Sequence, residues 1–320
     1  MARALICGIS GQDGPYLAKL LLDKGYEVWG TARDTDMSSF QNLVDLGIKD
    51  QVHIRSMLLR DFRSVIQAVV ESEPDEIYNL AGQSSVGRSF AQPVETLESV
   101  VVGTMNLLEC IRILKKPIRF YNAGSSECFG DTGGMPADES TPFAPRSPYG
   151  VAKAAAFWEA ANYREAYGIF ACTGMLFNHE SPFRPRRFVT RKIVEGAVRI
   201  AAGQAKELRL GSLDIQRDWG WAPEYVEAMW RILQADEPDD FVIATGQSNS
   251  LQFFVETVFN ELGLNWADYV ITDKSFMRPS DILFSQGCAD KAKDILGWQA
   301  QTHFKGVITK LIEAEKKRLS

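Results

Sequence analysis

Tyr149 and Lys153 stand four residues apart in Tyr-Gly-Val-Ala-Lys, so a helix carries both side chains on one face. A lysine ammonium beside a phenol favours phenolate and lowers its pKa from about 10 toward the working pH. The tyrosine can then take a hydroxyl proton while hydride leaves the same carbon. Upstream, the apolar run Ile118 to Asn122 ends in Ala123-Gly124-Ser125-Ser126-Glu127. Ser125 can share a substrate hydroxyl with Tyr149, and Glu127 adds a carboxylate over a neighbouring carbon. Each feature has a plain structural reading: a solvated helix face for Tyr-x-x-x-Lys, a turn for the serines, a helix N-terminal acid for Glu127. Their coincidence with a glycine loop near the N-terminus points to chemistry.

That loop is Gly8-Ile9-Ser10-Gly11-Gln12-Asp13-Gly14, which follows the apolar run Ala4 to Cys7 and precedes Pro15, a residue suited to a first helical turn. In a strand-loop-helix context its glycines let the backbone approach a pyrophosphate, and the helix start supplies free N–H groups and positive dipole. The end of the second strand selects the nicotinamide cofactor, because an acid there holds a ribose 2′-OH while arginine accommodates a 2′-phosphate. Position 32 is Ala and position 33 is Arg, which favours NADP; Asp34 next door could repel the phosphate or pair with Arg33, and leaves NAD open.

Positioning these groups takes a parallel sheet. The first 180 or so residues alternate apolar runs with amphipathic stretches, the signature of βαβ units. Strands are predicted at Ala4 to Cys7, Glu27 to Thr31, Val52 to Ser56, Glu76 to Leu80, Ile118 to Asn122 and Ile169 to Leu176. Leu17, Leu20 and Leu21, and again Val65, Ile66, Val69 and Val70, recur at helical spacing. Beyond Ser181 to Arg187, where Pro and Arg cluster, helices with few strands are expected. The fold class is α/β: a Rossmann-type doubly wound parallel sheet with a smaller, mostly helical substrate-binding domain. The division expected is 1–177 plus about 215–248 for the dinucleotide-binding part, and about 178–214 plus 249–320 for a cap.

Across 320 residues, 35 Lys+Arg against 41 Asp+Glu give a net charge of −6, which disfavours non-specific nucleic-acid binding. No run approaches the ~18 apolar residues of a membrane span. The five cysteines are scattered without a Cys-x-x-Cys, and the three histidines are not paired at ligand spacing. The expectation is a soluble cytoplasmic protein with no metal, no nucleic-acid partner and no membrane association.

The motifs Gly-Ile-Ser-Gly-Gln-Asp-Gly at 8–14, Asn-Leu-Ala-Gly-Gln-Ser at 79–84, Leu-Phe-Asn-His-Glu-Ser-Pro at 176–182, Phe-Val-Thr-Arg-Lys-Ile at 188–193, Leu-Gly-Ser-Leu-Asp at 210–214 and Arg-Asp-Trp-Gly at 217–220 span most of the chain. With them the sequence resembles the extended short-chain dehydrogenase/reductases and, within those, the GDP-mannose 4,6-dehydratase family. The resemblance implies conversion of GDP-D-mannose to GDP-4-keto-6-deoxy-D-mannose with no net redox. It assigns Tyr149, Lys153 and Ser125 to oxidation at C4 and Glu127 to elimination across C5 and C6. It places Leu80, Ala81, Gly82, Gln83, Ser84, His179 and Arg184 beside the cofactor. The GDP-sugar falls to Ser85, Ser126, Glu127, Asn178, Val189, Lys192, Leu210, Gly211, Arg217 and Arg278. Arg and Lys are what a diphosphate needs, the first for its fork and the second as a point charge.

Departures from the family pattern bear on specificity. Arg33-Asp34-Thr35-Asp36 replaces a typical Arg-Arg-Ser-Ser that binds the 2′-phosphate and helps build a tetramer, Leu58 replaces an adenine-contacting Asp, Ser85 stands where His is common, and Ser125 replaces Thr. A homodimer or homotetramer is implied, with helices near Val94 to Leu114 and Tyr149 to Ala166 at the interface. A related GDP-sugar reductase or epimerase, or a non-catalytic nucleotide-sugar sensor, remains as an alternative.

Overall fold

The computed structural model describes residues 1–319. The chain opens with strand β1 (Arg3–Cys7), whose last four residues are all buried, as expected of a strand covered on both faces. At its end Gly8 turns with φ +84°, and a Cβ there would meet the Ala81 backbone at 2.9 Å. Glycine is therefore required both by the dihedral and by the close approach of a second loop. Helix α1 (Asp13–Asp23) follows, burying Leu17, Ala18 and Leu21. Then come β2 (Glu27–Ala32), α2 (Gln41–Asp45), β3 (Val52–Ser56) and α3 (Phe62–Ser72), which Asp61 caps by accepting the Arg63 N–H at 3.0 Å.

Strand β4 (Glu76–Asn79) lies on the other side of β1. It leads into α4 (Val86–Ala91) and α5 (Pro93–Leu97), a π turn at Glu98–Val102, and α6 (Gly103–Leu114). After β5 (Arg119–Ala123), helix α7 (Pro148–Tyr167) is set by Ser147, whose hydroxyl accepts the Gly150 N–H at 3.0 Å, by Pro148 in its first turn, and by Gly168 at φ +65° past its end. With β6 (Ala171–Leu176) and β10 (Phe241–Ile243) these strands form one seven-stranded sheet, β10-β6-β5-β4-β1-β2-β3, every pair parallel. The order reverses between β1 and β4, so a crevice opens at their carboxyl ends, where such sheets bind ligands.

The rest forms a second layer with its own core. Strands β7 (Asn178–Glu180), β9 (Gln216–Trp221) and β11 (Ser248–Ser250) make a small sheet, while β8 (Leu208–Leu210) pairs with β12 (Val270–Thr272). Helices α8 (Val189–Ala201), α10 (Leu251–Glu261) and α12 (Phe304–Leu319) pack around Trp219, Phe254 and Phe304. A buried ion pair between Arg191 and Glu315 ties α8 to α12. By contrast, α9 (Ala222–Gln234) and α11 (Asp290–Leu296) pack against the main sheet.

The doubly wound α/β expectation holds. The second part is less purely helical than expected, with five short strands beyond residue 180, because runs such as Leu208-Arg209-Leu210 and Ser248-Asn249-Ser250 are too short to display a period of two. The stretch 215–248 is also divided: α9 and β10 join the large sheet, whereas β9 pairs with β7 and β11.

Candidate active site

Ser125 and Glu127 sit where the chain leaves β5. The Ser125 hydroxyl accepts the Glu127 N–H at 3.3 Å and caps a short 3₁₀ turn. Helix α7 comes down on this turn so closely that a Cβ on Gly150 would lie 2.7 Å from the Glu127 carbonyl oxygen. That contact fixes Tyr149, one residue before, against Ser125. One turn on, Lys153 Nζ donates to the Ala123 carbonyl at 2.6 Å and lies 5.9 Å from the centre of the Tyr149 ring. The strand end and the helix are thereby tied together where Ser125, Tyr149 and Lys153 converge.

The charges depart from the sequence expectation. Burial pushes the Tyr149 phenol well up, against the Ser125 hydroxyl and the Arg184 charge, which pull it down. Lys153 gives one N–H to the Ala123 carbonyl, and burial brings its pKa down to about 8, so the ammonium beside the phenol is held less firmly in its charged form than the spacing alone implies. Glu127 behaves as an acid-base group should. Burial raises its pKa, and the Arg217 and then the Arg278 guanidinium work against that rise.

Two cavities of about 750 and 640 Å³ share the walls Asp13, Leu80 to Ser84, Arg184, Arg187 and Phe188, and form one cleft over the sheet's carboxyl edge. The first is lined by Ser85, Ser125, Ser126, Glu127, Tyr149, Lys153, Asn178, His179, Val189, Lys192, Leu210, Gly211, Arg217 and Arg278. The second is lined by Gly8, Ser10, Gly11, Gln12, Gly14 and Arg33. Among the residues singled out by sequence, Ile9 departs: its side chain is fully buried beneath the loop against Gly30, so only its backbone can serve. Leu58 lines the second cavity with an apolar side chain.

The cations are held individually. Arg217, 5% exposed, donates to the carbonyls of Gln216 and Ile282 at 2.9 and 2.7 Å and pairs with Asp281 at 2.9 Å. Asp281 also meets Arg278 at 3.3 Å. Lys192 Nζ lies 3.5 Å over the Phe276 ring, and burial lowers its pKa. Arg184 pairs with Glu180 at 3.3 Å and covers the Phe188 ring at 3.9 Å. His179 stacks on Tyr225, and its two ring nitrogens meet the Phe177 carbonyl at 2.7 Å and the Asp13 carboxylate at 3.0 Å. Burial disfavours both charges of the His179–Asp13 pair, but their mutual attraction wins, raising the histidine and lowering the acid.

Sequence reasoning missed Asp281, Phe276 and Arg60, all on the cavity walls, while Arg187, from the Pro-Arg cluster after β7, lines both cavities. Of the three, only Asp281 carries a local signal, three residues after Arg278.

A dinucleotide fits the second cavity on its chemistry. The glycine loop presents the open N-terminus of α1, Arg184 and Arg187 bring cationic charge to the wall shared with the first cavity, and Gln12 keeps a buried Oε1 with no hydrogen-bond partner among the described residues.

Comparison with known proteins accords with this geometry. A family model described as GDP-mannose 4,6 dehydratase matches residues 5–311. GDP-mannose 4,6 dehydratase 2 of Arabidopsis thaliana is 45% identical over 98% of this chain and 86% of its own length. Among solved structures, dTDP-glucose 4,6-dehydratase of Bacillus anthracis in complex with NAD superposes with a TM-score of 0.86 at 20% identity, covering 99% of this chain and 97% of that one. RMD of Pseudomonas aeruginosa complexed with NADPH does so at 0.82 and 22%, covering 99% and 100%. The two structures share the fold, and the sequence match is what assigns the family: the chain belongs to the GDP-mannose 4,6-dehydratases.

Proposed function

We propose that this protein converts GDP-D-mannose to GDP-4-keto-6-deoxy-D-mannose and water, with NADP as its resident cofactor. The observation that carries the reading is a half-buried Glu127 carboxylate on the same cavity wall as Ser125, Tyr149 and Lys153, with Arg217 beside it. Simple oxidation or reduction of a hydroxyl needs the last three groups and no second base.

When bound, NADP supplies a reversible acceptor that oxidises C4 and later reduces C6. Tyr149, oriented by Ser125, takes the C4 hydroxyl proton. The 4-ketone acidifies C5–H, which Glu127 removes; the same carboxyl then protonates the C6 hydroxyl as it leaves, and Tyr149 returns a proton to C5. One carboxyl acting as base and then acid needs a pKa raised toward neutrality, the direction that burial gives Glu127. Arg217, Lys192 and Arg278 hold the GDP-sugar, with Leu210 and Gly211 beside the guanine; Asn178, Val189, Ser126 and Ser85 complete that side.

NADP is preferred to NAD because Arg33 lines the cofactor cavity while Asp34 turns its carboxylate to the backbone N–H groups of Asp36 and Met37, at 3.0 and 3.1 Å. We place residues 178–214 and 249–319 as the cap that closes on the nucleotide sugar, with β9 added to it and α11, which packs on the main sheet, left out. Apolar side chains left exposed on α5, α6 and α7, Val94, Met105 and Trp158, support a homo-oligomer built through these helices. Five free thiols suit the reducing cytoplasm, and no helix among the described residues is long and apolar enough to cross a membrane.

The test is mass-resolved turnover of GDP-mannose and other nucleotide sugars. A product lighter by one water supports the dehydratase. Reduction of a 4-keto substrate, isomerisation without mass change, or no turnover would replace it with a reductase, an epimerase or a sensor.

A further inference from the structure

Arg60 was not singled out by its sequence, yet it lines the cofactor cavity together with Arg33. Arg33 follows β2 and Arg60 follows β3, neighbouring strands in parallel register with Ala32 opposite Ser56, so the two loops leave the same sheet edge side by side. Each guanidinium is held over that cavity by a carboxylate from the helical segment opposite: Arg33 by Glu95 at 3.4 Å and Arg60 by Glu98 at 3.0 Å. Both acids also line the cavity, and Asp34 does not.

We propose that Arg60 is the second arm of a two-arginine clamp on the cofactor's 2′-phosphate, and that Glu95 and Glu98 are the carboxylates this phosphate displaces. The inference rests on the NADP reading above. A phosphate monoester carries close to two negative charges at neutral pH, which two guanidiniums match and one does not. It also offers three acceptor oxygens to their planar forks, where each carboxylate offers two. The resident ion pairs are weak competitors, since the arginines are 77% and 56% exposed and the glutamates 43% each. Glu95 and Glu98 therefore keep the arms from collapsing elsewhere without closing the site. They also set a threshold: a 2′-hydroxyl cannot displace them, so NAD meets a neutral, already paired surface.

The test is equilibrium binding of NADPH and NADH to the purified full chain, followed by nicotinamide fluorescence, with adenosine 2′,5′-bisphosphate and AMP as competitors. The wild type should bind NADPH at least about tenfold more tightly than NADH. Arg60→Gln should weaken NADPH and the bisphosphate by about tenfold, as expected for loss of a charge-assisted contact, with NADH within about twofold. Glu98→Gln, which frees Arg60, should tighten NADPH several-fold. NADH binding reports that each variant is folded. If Arg60→Gln weakens both cofactors alike, or neither, while the wild type still prefers NADPH, the clamp is overturned and the NADP reading stands on Arg33. If the wild type binds NADH as tightly as NADPH, the NADP reading falls and takes the clamp with it.

Discussion

Replacing Glu127 by Gln isolates the elimination from the steps on either side of it. The amide keeps the shape of the half-buried side chain but can neither take the C5 proton nor deliver it to the C6 hydroxyl. A positioned acid or base is worth about 10² to 10⁴ in rate, and one carboxyl doing both jobs puts the expected loss at the upper end, about 10⁴ in kcat or roughly 5 kcal/mol of barrier. The fold should tolerate the change. Arg217 loses a neighbouring charge but keeps Asp281 at 2.9 Å and two backbone carbonyls, so no buried guanidinium is orphaned. Ser125, Tyr149 and Lys153 are untouched, so oxidation at C4 should persist and stall. The assay is a rapid-quench turnover of GDP-mannose with the variant, following the absorbance of the reduced nicotinamide and product mass together. The expected result is reduced cofactor accumulating toward one equivalent per site with no water lost. Dehydration within about tenfold of wild type would show that another residue is the base. Loss of the absorbance signal as well would show that Glu127 acts at C4 or in binding.

Arg217→Gln should move the acid limb of the kcat–pH profile upward: burial raises Glu127 and Arg217 is the largest influence opposing it, so losing that charge keeps the base protonated to higher pH. An unmoved or lowered limb refutes the coupling. Lys153→Met should cut turnover by at least about 10² yet raise stability at pH 7 by about 1–2 kcal/mol, measured by urea melts. The sign follows from the folded pKa, lowered by burial to about 8 and so below the unfolded value of about 10.4. The resulting cost of roughly 3 kcal/mol, partly offset by the Ala123 hydrogen bond, is full below the folded value and fades as pH rises to the unfolded one. The gain should therefore shrink at pH 10, and a net loss at pH 7 refutes it.

The large sheet was legible because most of its strands are covered on both faces and read as apolar runs: all six strands predicted for it are present, with ends displaced by at most two residues, and the largely exposed edge strand β3 keeps its predicted bounds. The seventh, β10, is three residues long, and its burial depends on the preceding α9 and on α11, which starts only at Asp290. The cap was harder to read for the same reason. Trp219, Phe254 and Phe304 meet only once three separate segments are folded together, and no window of sequence contains that cluster.

Site residues were legible in type and only partly in electrostatics. Spacing alone placed Tyr149 and Lys153 on one helical face, and from there it was natural to let the ammonium activate the phenol. Spacing does not say what else competes for that ammonium. The Ala123 carbonyl, 26 residues before Tyr149 in sequence, accepts one of its N–H groups at 2.6 Å, and burial brings its pKa down to about 8. What opposes burial at the phenol comes from Ser125 at a strand end and Arg184 in the segment after β7, two groups that no helical period connects to Tyr149. The same holds for Glu127, whose pKa is set by burial against Arg217 and Arg278, about 90 and 150 residues away along the chain. Residue types announce which proton transfers a site is equipped for; the tuning of those transfers is a long-range property, fixed when the cap brings its arginines down onto the carboxyl edge of the sheet.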